Sequence, residues 1–442
     1  MDSFEEFIIK NENADTVRLV MSRREWPVPG DPVLAGLDAK SLAVNTIEGR
    51  RKLRKKLPEW VACTGLVYPS SLCTEQCSSS DTARYKASIV KKIFNEYVGS
   101  DGRIADLTGG LGVDSWAFSE VAGEVLYNEM NSELAAAVRH NFRELGVTNI
   151  FIQNQEATVD SLEDIIGDFQ PDIIFMDPAR RDSAGKKVFL LEDCSPDVLE
   201  MLPKLFRISR FVLLKQSPMA DISMVVERLD RTYEAYRQDT SGDGWNGQWV
   251  REVHVVASGG ECKELLVLLD REHEGGYSLT CREDGKTLTF SSQEITEAKA
   301  TLPDSTFARI IFEPGKSLTK AGAFNAICER FGLVKLARFT HLYTIGDPLS
   351  DSELEQRIIP LKDFGKVFYV KEILPLNKAS LKDVGRRYPH SEVSAKNIPM
   401  SSDELRARLK VKSGDDAHIF GARIETPYSE GNYLIVTYCI GH

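Results

Sequence analysis

The sequence predicts an α/β fold in which an open parallel sheet ends in an antiparallel hairpin, with helices before it and smaller α+β modules after it. Strand-like apolar runs alternate with helical segments between about Gly102 and Arg271, which is typical of a parallel sheet covered on both faces. The run at 172–176, Asp-Ile-Ile-Phe-Met, suits a strand buried on both sides. Two later strands, 252–257 and 264–269, are joined through a Ser-Gly-Gly-Glu turn, which favours a hairpin.

The chain is long enough for several domains. Its 442 residues exceed the usual size of one domain, and about two to four are expected. We predict a helical region at 1–80, a parallel-sheet domain at 81–271, a small ferredoxin-like α+β module at 272–345 and a second α+β domain at 365–442. The predicted strands of the parallel sheet are Arg103–Leu107, Glu124–Asn128, Ile150–Gln153, Ile173–Met176 and Phe211–Lys215. The predicted helices include 4–20, 38–57, 82–97, 132–145 and 320–331, and the later strands are 277–281, 287–290, 308–312, 366–373, 418–425 and 433–440.

Composition narrows the class of protein. Hydrophobic residues make up 42% and charged residues 27%, as in soluble globular proteins. The net charge of -11 provides no overall attraction for nucleic acid, so any such binding needs a local basic patch. The N-terminus is acidic and no apolar run is long enough for a membrane span, so we expect neither a signal peptide nor a membrane location. Eight scattered cysteines predict a cytoplasmic protein with reduced thiols. Cys73 and Cys77 have helical i, i+4 spacing, but a metal site would need two more ligands, so we predict no metal and interpret them as buried or incidental thiols.

A glycine-rich turn follows the first predicted strand. Asp106 stands at the strand end and the turn runs through Thr108, Gly109, Gly110 and Gly112. Glycines let a backbone approach a ligand at the carboxyl edge of a sheet, and the carboxylate can contact the ammonium of a methionine-like ligand, directly or through water. A dinucleotide-binding turn would need a further glycine at position 115, where serine stands.

Two more acids follow successive strands. Glu129 ends the second strand and is placed to accept hydrogen bonds from ribose hydroxyls, and Glu156 after the third is placed for an adenine amino group. Met130 beside Glu129 and Asp177 after the fourth strand complete the predicted contacts. Three acids after three strands of one sheet predict that the cofactor is S-adenosylmethionine.

The loop after the fourth strand is the predicted catalytic edge. Asp177, Pro178 and Arg180 are the candidate catalytic residues, because the carboxylate and a neighbouring carbonyl can aim a substrate lone pair at the methyl carbon. An Asp-Pro turn that merely ends a strand is the structural alternative. Arg181 in this loop and Lys215 after the fifth strand are candidate substrate contacts, although both can equally be ordinary surface charges.

This loop resembles two known loops and departs from both. Compared with the Asp/Asn-Pro-Pro-Tyr/Phe loop of amino-methylating nucleic-acid enzymes, Ala179 replaces the second proline and Arg180 replaces the aromatic residue. Asp-Pro-Ala-Arg resembles the loop of RNA uridine C5-methyltransferases, whose chemistry needs a cysteine after the fifth strand. Residues 214–218 contain none, so the methylated atom stays open.

Residues 102–270 are similar to class I S-adenosylmethionine-dependent methyltransferases, which have a Rossmann-like sheet. The whole chain also resembles a bacterial group of methyltransferases with a C-terminal THUMP-like domain. The residues that carry this resemblance are Glu75–Ser79, Thr82–Lys86, Asp177–Arg181, Phe312–Gly315, Lys320–Phe324, Lys396–Pro399, Glu404–Lys410 and Gly414. THUMP domains belong to RNA-modifying enzymes, so the resemblance implies a structured RNA substrate such as tRNA or rRNA.

Local basic clusters are compatible with RNA. Arg406, Arg408 and Lys410 are the candidate RNA contacts, and further basic clusters lie at 50–56 and 386–387. We therefore predict a methyltransferase that acts on a nucleoside in structured RNA. Two alternatives stay open: a methyltransferase for a small molecule or protein, and a non-catalytic RNA-binding protein with a relic Rossmann domain.

Overall fold

A computed structural model describes residues 3–180, 191, 194–239, 249–346 and 349–439. The chain divides into two units, Met1–Arg251 with Leu266–Gly275, and Glu252–Leu265 with Gly276–His442.

The first unit begins with a series of helices, of which the one predicted over 4–20 is divided and the one predicted over 38–57 is shorter than expected. These are α1 Ser3–Lys10, α2 Thr16–Ser22, α3 Ala39–Leu53, α4 Pro58–Ala62, α5 Ser71–Gln76 and α6 Ser80–Ile93. The helix predicted over 4–20 is broken because the Asp15 side chain accepts hydrogen bonds from the amides of Val17 and Arg18 and so starts a new helix. The helix predicted over 38–57 ends at Leu53, and a separate helix begins at Pro58, a residue that favours the first position of a helix.

A parallel sheet forms the centre of this unit. Its elements are β1 Arg103–Asp106, α7 Val113–Ser119, β2 Glu124–Asn128, α8 Ser132–Glu144, β3 Ile150–Gln153, α9 Leu162–Ile166, β4 Ile173–Met176, β5 Ala179–Arg180, β6 Cys194–Ser195, α10 Val198–Ile208, β7 Phe211–Gln216 and α11 Ile222–Asp239. Five strands run parallel in the order β7-β4-β1-β2-β3, and β5 pairs separately with β6. The carboxyl ends of the five parallel strands lie at one edge, which is where open α/β sheets bind ligands.

The predicted hairpin is β8 Val250–Ser258 and β9 Glu261–Asp270. Gly259 and Gly260 both have positive φ, +61° and +76°, as the tight turn of a two-residue hairpin requires. A parallel sheet followed by this hairpin confirms the Rossmann-like prediction.

The second unit holds the α+β part of the chain. After the hairpin come β10 Ser278–Glu283, β11 Lys286–Ser291, α12 Ser292–Glu297, β12 Ile310–Pro314, α13 Lys316–Ala321, α14 Ala326–Phe331, β13 Leu333–Ala337, β14 Thr340–Ile345, α15 Asp351–Lys362, β15 Gly365–Pro375, α16 Lys378–Arg387, β16 His390–Lys396, α17 Ser402–Leu409, β17 Lys412–Glu425 and β18 Glu430–Cys439. β8 pairs in parallel with β10, which pairs antiparallel with β11. A seven-stranded sheet has the order β13-β14-β12-β15-β18-β17-β16 and takes strands from both predicted modules. The predicted domain boundaries themselves stay a prediction.

The structure of this unit differs from the prediction at several elements: strands β13, β14 and β16 were not predicted, and one predicted helix is divided. The helix predicted over 320–331 is two helices, because Gly322 ends α13 in the left-handed conformation at φ +69°. Strand β16 was not predicted, since its sequence His-Ser-Glu-Val-Ser-Ala-Lys is mostly polar and it pairs with one neighbour only, β17. Among the described residues no helix has the length and apolar character needed to cross a membrane.

Candidate active site

A cavity of about 490 Å³ opens at the carboxyl edge of the parallel sheet. It is lined by the glycine-rich turn 106–114, by residues 129–134 after β2, by 155–157 after β3 and by Asp177 and Ala179 after β4. A fifth group of lining residues comes from 69–78 in the N-terminal helical region. Its volume is typical of a site for one small organic cofactor.

The glycines of the turn are required by its close packing. A Cβ atom on Gly109 would lie 2.1 Å from Cε2 of the fully buried Tyr127. Gly112 has φ +81° and begins α7, and a Cβ there would lie 2.7 Å from Cζ of Phe142. Gly110 also has positive φ, +53°, and its amide points at Glu129. The backbone of this turn can therefore reach a ligand with no side chain in the way.

Glu129 holds the turn from the neighbouring strand. Its Oε2 accepts from the Gly110 amide at 2.9 Å and its Oε1 accepts from the Asn131 amide at 2.8 Å. A carboxylate can accept about four hydrogen bonds. Glu129 therefore keeps acceptor positions for the ribose hydroxyls that it is predicted to bind.

Asn128, one residue earlier, is a site residue that the sequence reasoning missed. Its buried amide donates to the carbonyl oxygens of Leu107 and Gln155, and its Oδ1 accepts from the Gln155 amide. It therefore fixes the loops that follow β1 and β3. A polar residue ending an apolar strand was the available signal.

Asp106 is buried behind the turn. Its Oδ1 accepts from the Thr108 amide at 3.1 Å and its Oδ2 accepts from the Ser115 hydroxyl at 2.6 Å. Burial, with the nearby charges of Asp114 and Asp177, raises the pKa of Asp106 to about 8. This carboxyl supports the turn from below, and contact with a ligand ammonium stays a prediction.

Met130 and Glu156 line the cavity from its exposed side. Both residues are exposed, and Met130 retains 64% of its accessible surface. The Glu156 carbonyl accepts from the Ser161 hydroxyl at 2.6 Å, which fixes the loop after β3. Their side chains are thus accessible from the cavity, and their contacts with a cofactor stay a prediction.

Asp177 lies where the cavity meets solvent. Its amide donates to Oγ1 of Thr108 at 2.6 Å, so the cofactor turn and the predicted catalytic loop are tied directly. Its Oδ2 accepts from Nζ of Lys215 at 2.6 Å, and the Lys215 side chain is only 13% exposed. The ion pair links the ends of β4 and β7 and holds a carboxylate oxygen beside the cavity.

The other predicted residues of this loop are Pro178, Arg180 and Arg181. Pro178 is half-buried and follows Asp177 directly. The backbone of Arg180 belongs to β5, opposite Cys194. Arg181 lies outside the described residues.

The sequence analysis also missed the contribution of the N-terminal segment 69–78 to the cavity. Ser78 Oγ donates to Oδ2 of Asp114 at 2.9 Å, and Nζ of Lys86 lies 3.1 Å from Oδ1 of Asp114 and donates to Ser78 at 3.0 Å. The Lys86 side chain is fully buried. This network anchors the segment to the start of α7. The motif residues 75–79 and 82–86 in the family resemblance were a signal that could have pointed to it.

Cys73 and Cys77 also line the cavity. Burial raises the pKa of both thiols, and each sulfur donates to a carbonyl of its own helix segment. Among the described residues no group of three His, Cys, Asp or Glu side chains is placed to hold a metal ion. The raised pKa makes these thiols poor candidates for nucleophiles.

The lining fits S-adenosylmethionine better than a dinucleotide. Glu129, Glu156 and Asp177 all line one cavity, and these carboxylates suit a ligand that carries a sulfonium and an ammonium. A pyrophosphate beside the same carboxylates would be repelled. The residues that would hold the cofactor are the turn glycines, Glu129 and Glu156.

The candidate RNA contacts lie in the second unit. Arg406 and Arg408 are on α17 and Lys410 caps its C-terminus. Arg406 pairs with Glu392 at 3.2 Å, whereas Arg408 and Lys410 are exposed. Residues two apart on a helix face different directions, so Arg406 and Arg408 do not form one face.

Comparison with known proteins agrees with this architecture. A ferredoxin-like domain family matches residues 311–351 and a THUMP domain-like family matches residues 365–437. A proposed methyltransferase from Porphyromonas gingivalis W83 has a similar solved structure, with TM-score 0.77 and 27% identity over 98% of this chain and 96% of that one. No curated protein sequence matches the chain.

Two other solved structures match only part of the chain. An rRNA methylase from Streptococcus thermophilus covers 41% of this chain and 93% of its own, at 13% identity and TM-score 0.26. A ribosomal protein L11 methylase from Lactobacillus delbrueckii subsp. bulgaricus covers 43% and 79%, also at 13% identity and TM-score 0.26.

The fold, the cavity and the full-length structural match together define the class. The chain has the Rossmann-like fold of class I methyltransferases and carries a THUMP-like domain at its C-terminal end. The predicted resemblance is thereby confirmed.

Proposed function

We propose that this protein transfers a methyl group from S-adenosylmethionine to a nucleoside of structured RNA, with tRNA or rRNA as the substrate class. The predicted domain at 81–271 carries out the transfer and the THUMP-like domain at 365–442 binds the RNA. We also place the reaction in the cytoplasm, since the scattered positions of the eight cysteines suit a reducing compartment.

One observation carries the RNA part of the proposal: positive charge is concentrated in the segment that matches the THUMP domain-like family. Residues 365–437 contain 12 Lys and Arg against 9 Asp and Glu, a formal charge of +3. The remainder of the chain has 43 Lys and Arg against 57 Asp and Glu, a formal charge of -14. RNA is therefore attracted to this segment and repelled by most other surfaces.

Asp177 is the residue we assign to the chemistry. When bound, S-adenosylmethionine supplies a methyl group already activated by its sulfonium, so the protein needs to align the acceptor more than to provide a strong base. Oδ2 of Asp177 is held by Lys215, and the carboxylate can accept a hydrogen bond from the acceptor's N–H or O–H. That bond directs the acceptor lone pair into the cavity. Thr108 keeps the loop in register with the cofactor turn.

The test is transfer of a radiolabelled methyl group to total RNA from a strain that lacks the gene, followed by nucleoside mass analysis. Calorimetry measures binding of S-adenosylmethionine separately. We expect Asp177→Ala to retain cofactor affinity within about threefold and to lose at least about 100-fold in transfer, the range for loss of a positioned acid–base group. Lys215→Met should lower transfer by a smaller factor, because it removes the partner that orients the carboxylate.

Lys204→Met is the matched control. Nζ of Lys204 donates to the Val159 carbonyl and pairs with Glu163, and Lys204 does not line the cavity. It should leave transfer unchanged. Absence of cofactor binding in the wild-type protein would contradict the methyltransferase assignment. Binding without incorporation into RNA would favour a small-molecule or protein substrate, and equal loss of binding and transfer in Asp177→Ala would make Asp177 structural.

A further inference from the structure

One face of the seven-stranded sheet carries two exposed aromatic side chains. Tyr369 on β15 lies directly opposite Tyr438 on β18, and the two residues are 41% and 38% exposed. Side chains alternate along a strand, so Tyr369 points to the same side as Val367 and to the opposite side from Phe368. Val367 is buried under a helix-covered core and Phe368 in the core on the other face. Tyr369 therefore lies on a helix-facing side of the sheet but is left open to solvent.

A cation, the Lys371 ammonium, lies beside the rings of Tyr438 and Tyr388. Nζ of Lys371 donates to the Tyr438 hydroxyl at 2.9 Å and lies 5.2 Å from the centroid of that ring. It also lies 5.5 Å from the ring of Tyr388, which in turn has the guanidinium of Arg387 at 5.1 Å. The hydrogen bonds to the two tyrosines raise the pKa of Lys371 and keep the ammonium charged. The exposed rings are thus accompanied by fixed positive charge.

A groove of about 380 Å³ continues the surface past Tyr369. Phe307, with 74% of its surface exposed, lines this groove together with Tyr369 and Lys371. Phe307, Tyr369, Lys371 and Tyr438 form what we name the aromatic strip. Flat rings beside a cation are the combination that proteins use to stack unpaired bases while attracting the phosphates that join them.

We propose that the aromatic strip binds a single-stranded segment of RNA, stacking an unpaired base on Tyr369 or Tyr438 with Lys371 at the adjoining phosphate. The proposal rests on the proposed function, because it assigns to RNA a place on the domain expected to bind it. It also deepens that function: the substrate has an unpaired segment, such as a loop or a free end, and is not a duplex alone. Charge complementarity favours this occupant, since Tyr369 and Lys371 lie in segment 365–437, whose formal charge is +3.

The test is fluorescence anisotropy with a fluorescein-labelled single-stranded RNA 12-mer of mixed sequence and a blunt hairpin of similar composition. Full-length wild-type protein is compared with Tyr369→Ala, Tyr438→Ala and the ring-retaining Tyr369→Phe. We expect each alanine variant to bind the single strand about tenfold more weakly, as loss of one stacked base predicts, and to bind the hairpin within about twofold of the wild type. Tyr369→Phe should keep most of the affinity, because stacking needs the ring and not the hydroxyl.

Tyr428→Ala is the matched control, since Tyr428 is 89% exposed and lies in the turn between β17 and β18. It should bind as the wild type does. Melting temperatures confirm that each variant folds, and photocrosslinking with 4-thiouridine RNA should label peptides that contain Tyr369 or Tyr438.

Two results overturn the assignment in distinguishable ways. Unchanged single-strand affinity in both alanine variants, together with methyl transfer to RNA by the wild type, refutes the strip and leaves the proposed function standing. Absence of both RNA binding and RNA methylation in the wild type refutes the proposed function, and the strip with it. Strip-dependent RNA binding without methylation supports the strip alone.

Discussion

Asp106 makes the stability of the first unit depend on pH in a direction opposite to that of most carboxylates. Its pKa is about 8 in the folded protein and near the ordinary 3.8 in the unfolded chain. Between these values the native carboxyl stays protonated while the unfolded one is ionised, so folding takes up a proton. The stabilisation that Asp106 contributes is therefore complete below pH 4, in the range of the unfolded pKa, and is lost as the pH rises toward 8. One proton corresponds to about 1.4 kcal/mol per pH unit, or about 3 kcal/mol between pH 5 and 7.

Asp106→Asn removes this dependence while keeping the shape of the side chain. The amide oxygen can still accept from the Thr108 amide, and the amide nitrogen can donate to the Ser115 hydroxyl. The stability of the variant relative to the wild type should therefore rise by about 3 kcal/mol from pH 5 to pH 7. Urea unfolding followed by tryptophan fluorescence measures this in the right part of the chain, because all five tryptophans lie between residues 26 and 249.

Asp168→Asn is the control, since Asp168 is exposed in the same unit. It should follow the wild type at both pH values. If the free energy of unfolding of Asp106→Asn differs from that of the wild type by the same amount at both pH values, the native Asp106 carboxyl is ionised at neutral pH. That result would refute its protonation by burial.

Two further predictions concern the support of the cavity. Gly109→Ala should weaken S-adenosylmethionine binding at least about tenfold in calorimetry, because its Cβ overlaps a buried tyrosine ring. A Cβ on Gly110 has no other atom within 3.8 Å, so Gly110→Ala should cost only the strain of a positive φ, about 1 kcal/mol. Similar affinities for the two variants would contradict the packing argument. Lys86→Met should lower the free energy of unfolding by about 3–5 kcal/mol, and adding Asp114→Asn should restore part of it because the buried carboxylate is then neutral. Additive losses in the double variant would contradict the ion pair.

The parallel sheet and most of its site could be predicted because their signals are local. Short apolar runs such as Ile173–Met176 mark strands, and a glycine-rich stretch after β1 marks the turn. Parallel strands bring their carboxyl ends to one edge, so Asp106, Glu129, Glu156 and Asp177 meet at one cavity although 71 positions separate the first from the last. Strand order was not needed for that conclusion.

The remaining features depend on partners distant in sequence. Segment 69–78 reaches the cavity through Ser78 and Asp114, 36 positions apart, and no periodicity within either segment announces the bond. The protonated state of Asp106 likewise follows from burial that only the folded chain creates. The polar strand β16 exists because β17 provides a pairing edge, which a single-segment pattern does not reveal.

The salt dependence of RNA binding provides a quantitative test of the THUMP-like segment. Within the described part of 365–437, seven exposed cations form no ion pair: Lys366, Lys371, Lys378, Lys382, Arg408, Lys410 and Lys412. If all seven met phosphates of a single strand, the logarithm of the binding constant would fall with the logarithm of salt concentration at a slope of about -5.

Arg408→Glu with Lys410→Glu should reduce that slope by about 1.4, since two phosphates lose their partners. Arg406→Glu is the matched comparison, and it should change the slope less because Arg406 is already paired with Glu392. Anisotropy titrations from 50 to about 300 mM salt give all the slopes. A wild-type slope near zero would remove these cations as RNA contacts, and an unchanged slope in the double variant would remove Arg408 and Lys410.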